Sequence, residues 1–185
     1  MTPQENSSAA SRLCSECGMC CNGVMFHTVR LQPTDSAKDL AALGLKLKRK
    51  KGGNYILQPC PAFRGTHCSI YAARPERCRL FACQQLRRVD AGESTEAVAL
   101  EMIREAQRQV AEVTDLLERA GGASDRKPLS KRCEKVMAEP LDSSSDPVAV
   151  GIRSQLTRAM RELDIFLDEE FRIPPGEAAD QMAKS

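Results

Sequence analysis

The sequence predicts a mainly α-helical protein with a small, irregular α+β cysteine-rich module at the front and an antiparallel helical hairpin at the back. Three observations lead there. Eight of the nine cysteines lie between Cys14 and Cys83, in short motifs broken by Gly, Pro and charge. Two later stretches, starting near Ser94 and Asp146, carry apolar residues at alternating steps of three and four, the pattern of a helix burying one stripe. Charge divides the same way: residues 1–89 hold 14 Lys/Arg against 5 Asp/Glu, and residues 90–185 hold 13 against 20. The two halves are different objects under a net charge of only +2.

Composition sets the scale. With 42% hydrophobic residues but five Phe, two Tyr and no Trp, the core is modest and aliphatic. The front half is too poor in apolar runs to stand alone, so bound metal is expected to supply part of its folding free energy, while the back half rests on its own seam. The opening Met1-Thr-Pro-Gln-Glu-Asn-Ser-Ser lacks a basic n-region and an apolar h-region, so a cytoplasmic location is expected. No apolar run approaches the ~20 residues that span a bilayer.

Residues 1–11 are polar and aperiodic and are expected to be disordered. The cysteine-cluster module then covers residues 12–89. Cys14 to Gly23 reads as a knuckle in which Gly18 and Gly23 permit positive-φ turns. Val24 to Leu31 alternates weakly, as a short strand. A short helix from Thr34-Asp35 carries Leu40 and Leu43 and stops at Gly44. Leu45–Lys51 and Asn54–Gln58 flank Gly52-Gly53 as a hairpin, and its run of Lys and Arg is a solvated face. Arg74-Pro75 starts another helix. In a regular helix of about 3.6 residues per turn, Cys78 and Cys83 would point roughly 140° apart, so they can share a site only if that helix ends between them.

Residues 90–93 form a hinge, and residues 94–173 the helical hairpin region. Ser94 or Thr95 caps a long helix ending near Gly121-Gly122, with Ala99, Ile103, Ala106, Val110, Val113 and Leu117 in its seam. A short helix after Pro128 places Leu129, Cys133, Val136 and Met137 on one face, where Cys133 serves as a small core hydrophobe. Asp146 caps, and Pro147 opens, a second long helix carrying Ile152, Leu156, Met160, Leu163, Leu167 and Phe171. Residues 174–185 are a frayed tail.

The chemistry sits in the cysteines. A soft metal ion takes four thiolate or imidazole donors, and Cys-x-x-Cys presents two sulfurs from one tight turn. Cys14, Cys17, Cys20, Cys21, Cys60, Cys68, Cys78 and Cys83 are therefore the candidate ligands, and they are expected to converge in space. In a reducing cytosol such a cluster favours ligands over disulfides. Eight divides evenly into two four-thiolate zinc sites. Against that, the triple Cys14-x-x-Cys17-x-x-Cys20 resembles the run that wraps a cubic iron–sulfur cluster in bacterial ferredoxins, where a remote Cys-Pro completes a set, and Cys60-Pro61 is such a pair. Zinc and iron both stay open, with an iron–sulfur cluster slightly favoured. The adjacent Cys20 and Cys21 diverge in any regular backbone, so they serve different metals or one stands behind the other. His27 and His67 are not needed as ligands and take polar supporting roles. Arg74, Arg77 and Arg79 flank Cys78 and offset the negative charge of thiolates.

Cys14-x-x-Cys17-Gly18-x-Cys20-Cys21-x-Gly23, Cys60, and Gly65-x-x-Cys68-x-Ile70-Tyr71-x-x-Arg74-Pro75-x-x-Cys78-Arg79-x-Phe81-x-Cys83 together resemble the YkgJ-type cysteine cluster family, the zinc- or iron-chelating CxxCxxCC domain. The resemblance covers residues 12 to 86 and implies a metal-binding module. A related module stands at the front of flagellin lysine methylases, but the second half here has no Gly-rich cofactor loop. The leading expectation is a metal-binding protein whose helical half stabilises the module or docks a protein partner. An iron–sulfur-dependent redox or protein-modifying enzyme is the alternative. A zinc module binding nucleic acid is weaker, because no aromatics interleave with the basic run at 46–51.

Overall fold

The computed structural model describes residues 8–122, 126–140 and 147–174. The first helix, α1 (Ala9–Cys17), begins inside the segment expected to be disordered. Ser8 caps it by accepting the Ser11 N–H, and Leu13, 2% exposed, anchors it in the interior. A capped, alanine-bearing turn needs only one such anchor to persist. Residues 1–7 lie outside the described residues.

The front sheet has three antiparallel strands, β1 (Thr28–Arg30), β2 (Leu47–Lys50) and β3 (Gly53–Leu57), in the order β1-β3-β2. The hairpin expected around Gly52-Gly53 is β2–β3, in register at Leu47↔Ile56. Between β1 and β2 lies α2 (Ala37–Ala42), capped by Ser36 rather than by Thr34 or Asp35. Leu40 is buried, but Leu43 is 46% exposed, because the helix ends at Ala42 and Leu43 leaves its inner face. Leu31, Leu40, Leu45, Ile56 and Ala62 form a small core under this sheet.

A two-strand ribbon follows, β4 (Phe63–Arg64) and β5 (His67–Cys68). The helix expected after Pro75 is broken in two: α3 (Glu76–Leu80) ends at Phe81 in extended backbone, and α4 (Gln84–Asp90) restarts with Cys83 as its N-cap residue. The back of the molecule is α5 (Glu96–Arg119), α6 (Leu129–Ala138) and α7 (Pro147–Glu170). Thr95 caps α5 by accepting the Val98 N–H. The expected cap Asp146 and the tail from 175 lie outside the described residues.

The two long helices pack on each other as an antiparallel pair, so Ile103 near the start of α5 and Phe171 beyond the end of α7 face the same cavity. Ile103, Val113, Leu117, Leu156, Leu163 and Leu167 are buried. Val110 is only half-buried: the inner stripe follows Ala106, Val113 and Leu116 instead. Met137, expected on the inner face of α6, is 43% exposed, while Leu129, Cys133 and Val136 are buried.

One core joins front to back. Leu13, Met19 and Leu86 belong to the same apolar cluster as Ile103, Leu117, Leu156, Leu163 and Phe171. A polar clamp reinforces the join: Gln85, 2% exposed, donates to Glu170, Arg88 pairs with Glu170, and the Gln84 N–H donates to the Phe171 carbonyl at 3.1 Å. Thus the front is packed on the helical half, and the long helices share their core with α1 and α4.

Leu163→Ala, at a fully buried position, should cost about 2–5 kcal/mol in denaturant unfolding. Because the core is shared, hydrogen exchange should show lost protection in α1 as well as in α5 and α7. Loss confined to α5 and α7 would mean that the front folds independently.

Candidate metal centre

Every cysteine of the front is placed by a specific local device. Cys14 and Cys17 sit three apart on α1, hence on one face of the helix. Gly18, at φ 64°, ends α1 and turns the chain so that Cys20 and Cys21 follow in a tight turn, with the Cys21 N–H donating to the Gly18 carbonyl. A Cβ at Gly18 would come within 2.7 Å of the Phe63 ring and 3.1 Å of the Thr66 carbonyl, so only glycine lets the β4–β5 ribbon press on this turn. Cys60 follows β3, and its N–H donates to the Cys21 carbonyl at 2.7 Å. Cys68 lies in β5 opposite Phe63. Cys78 is in α3, and Cys83 begins α4.

The break at Phe81 is what lets Cys78 and Cys83 face inward together. All eight cysteines line one cavity of about 370 Å³. The Phe26 and Phe81 rings, edge to face with centroids 5.0 Å apart, form part of its wall, as do Ile103 and Phe171 from the helical half. Cys133 is elsewhere, buried in the helical core as expected. The two histidines are also elsewhere: His27 is exposed and hydrogen-bonded to Ser130 at 2.8 Å, and His67 is exposed in β5.

The electrostatics are those of thiols held close together away from water. Burial pushes the Cys17, Cys21 and Cys78 thiols up to about 12, and Cys20 well above its ordinary value, with neighbouring cysteines adding to the effect. Burial also raises Cys14, Cys60 and Cys83. Three sulfurs are opposed by main-chain donors two and three residues on: Met19 toward Cys17, Ala62 and Phe63 toward Cys60, and Gln85 and Leu86 toward Cys83. Amides aimed at sulfur in this way stabilise thiolate, not thiol. Arg74 favours the charged form of Cys14 and Cys78, and its guanidinium stacks on Tyr71 at 3.7 Å.

Sequence reasoning named Arg74 but missed Gln58 in the wall. Gln58 is 4% exposed, and its Oε1 and the Nε of Arg74 are buried in the cavity lining without a hydrogen-bond partner among the described residues. Nothing in the pattern of residues 54–58 distinguishes a buried Gln from the exposed end of a strand. The other missed feature is Asp35. Pro75 has no side chain able to cap α3, and Asp35 does so from across the chain, accepting the Glu76 N–H at 2.9 Å and the Gln32 N–H at 2.8 Å.

Among the described residues, no three Cys, His, Asp or Glu side chains are gathered tightly enough to hold one ion as they stand. What the eight cysteines share is the lining of one cavity. The donor set nonetheless fits a soft metal: eight thiols, main-chain donors directed at sulfur, and an arginine beside them. Residues 13–98 match the family model CxxCxxCC, described as a "putative zinc- or iron-chelating domain". This is the domain that the cysteine spacing resembles, and the match extends past residue 86 through α4 into the first turn of α5. No curated protein and no solved structure matches the chain.

Asp35→Ala should loosen α3 at a cost of about 1 kcal/mol, as for loss of an N-cap, and Asp35→Asn should cost less. In the metal-free protein, mass spectrometry after timed alkylation should find Cys78 modified faster in Asp35→Ala and Cys14 unchanged. Equal acceleration at both would mean general destabilisation instead.

Proposed function

We propose that this protein binds zinc or iron through Cys14, Cys17, Cys20, Cys21, Cys60, Cys68, Cys78 and Cys83, with the helical half as the scaffold that holds them. The observation that carries this reading is convergence: cysteines on α1, in its following turn, after β3, on β5 and α3 and at the start of α4 all line one cavity. No arrangement of apolar packing needs eight thiols there. A reducing cytoplasm, the compartment proposed for the chain, keeps such thiols free to ligate.

The triple Cys14, Cys17, Cys20, spaced like the run that wraps a cubic cluster, favours iron–sulfur over zinc. The unpartnered Gln58 Oε1 and Arg74 Nε in the same wall support the second reading, an iron–sulfur-dependent redox or protein-modifying enzyme whose substrate meets these polar atoms. A nucleic-acid role gains nothing: Tyr55 is the one aromatic of the hairpin, and Lys50 lies over its ring at 5.6 Å. A protein partner would have to use the outer faces of the helical half, where Val98 and Ile165 are exposed, because the α5–α7 seam is filled from within.

Anaerobic purification followed by an absorption spectrum with metal and sulfide analysis tests the proposal. A brown protein containing iron and sulfide is the expected result, and a colourless one with stoichiometric zinc keeps the metal reading while replacing the cluster. Protein that holds neither metal, as purified or after anaerobic reconstitution, ends the proposal.

A further inference from the structure

We infer that the eight cysteines form two separate four-sulfur centres, one from Cys14, Cys17, Cys20 and Cys83 and the other from Cys21, Cys60, Cys68 and Cys78. This rests on the metal-binding reading and specifies how its ligands divide.

Packing makes the division. Cys14, Cys17 and Cys83 pack against the helical core, on α1 and at the start of α4. Cys60 and Cys68 pack against the other core, beneath the three-stranded sheet. Main-chain hydrogen bonds fix the second group internally. The Cys60 N–H donates to the Cys21 carbonyl at 2.7 Å, the Phe63 N–H to the Cys60 carbonyl at 3.0 Å, and the Ser69 N–H to the Ala62 carbonyl at 2.9 Å. These bonds hold Cys21, Cys60 and Cys68 in one knot. The first group is fixed by the α4–α7 clamp on one side and by Leu13 and Met19 on the other.

The remaining assignments follow from geometry. Cys78 lies in α3, which packs on β1 and is capped by Asp35 from the sheet side, whereas Cys83 lies past the break at Phe81 on the helix fastened to α7. Cys20 and Cys21 are adjacent in the turn after α1, and the bond from the Cys60 N–H to the Cys21 carbonyl places Cys21 with the second group and leaves Cys20 to the first. The triple is then completed by Cys83. Cys60-Pro61 belongs to the other centre, so the ferredoxin-like completion expected from its spacing does not apply.

Cadmium-113 loaded into the full-length metal-free protein tests this directly. Two resonances in the tetrathiolate range should appear, and proton–cadmium correlations should connect one to the Cβ protons of Cys14, Cys17, Cys20 and Cys83 and the other to those of Cys21, Cys60, Cys68 and Cys78. Stoichiometry gives an independent reading. Cys17→Ala, Cys83→Ala and their double variant should each bind half the wild-type cadmium, while Cys17→Ala/Cys60→Ala should bind none. A correlation from Cys60 to the cadmium of Cys14, or complete loss of metal in the Cys17→Ala/Cys83→Ala variant, overturns the division. Where a variant does not fold, the wild-type correlations decide alone. Absence of any bound cadmium would sink the metal-binding reading itself, a result distinct from a wrong partition.

Discussion

The structure depends on α1 being held from two sides at once. Leu13 of this nine-residue helix and Met19 just past its end go into the helical core, while Cys14 and Cys17 of the helix line the cavity. A helix this short has little stability of its own in water. Its position is therefore set by two neighbours, an apolar cluster on one side and a space lined by buried thiols on the other. Gly18 sits at the point where the two meet, with the Phe63 ring against it and the turn to Cys20 and Cys21 beginning from it.

The same logic explains why a long helical pair accompanies a small cysteine module. Buried thiols raised by desolvation resist ionisation, and a wall that yielded would let them spread and hydrate. Fastening α4 to the end of α7 through Gln84, Gln85 and Arg88 gives Cys83 a support that the sheet core, with five buried residues, does not supply. Asp35 plays the matching part for α3 on the sheet side. Each helix that follows the ribbon is thus braced from a different body of the molecule.

Much of this was legible in the sequence because it is local. The β2–β3 hairpin followed from Gly52-Gly53, the stripe of α7 from its spacing, and the candidate ligands from their motifs. What was not legible depended on distant partners. Residues 8–11 looked unstructured because the core that captures Leu13 is contributed by α5 and α7. Val110 fits a coiled-coil spacing that the actual stripe abandons in favour of Leu116. Asp35 looked like the start of a helix, and its carboxylate instead caps another one 41 residues on. The division of the cysteines was hidden for the same reason, since a linear motif cannot show which of two cores each sulfur rests on.

The unequal distribution of charge has a consequence for the protein as a whole. With its thiols protonated the chain carries a formal +2. A four-thiolate centre with a divalent ion or a doubly charged cluster core carries about −2, so filling both centres would bring the total to about −2. The molecule would pass through its isoelectric point on loading. Empty and filled forms would then separate on an ion exchanger, and the exposed cations of the β2–β3 hairpin would face solvent beside centres that have gained negative charge. An oppositely charged surface would read the filling of the cavity as a change in attraction, with no movement of the backbone required.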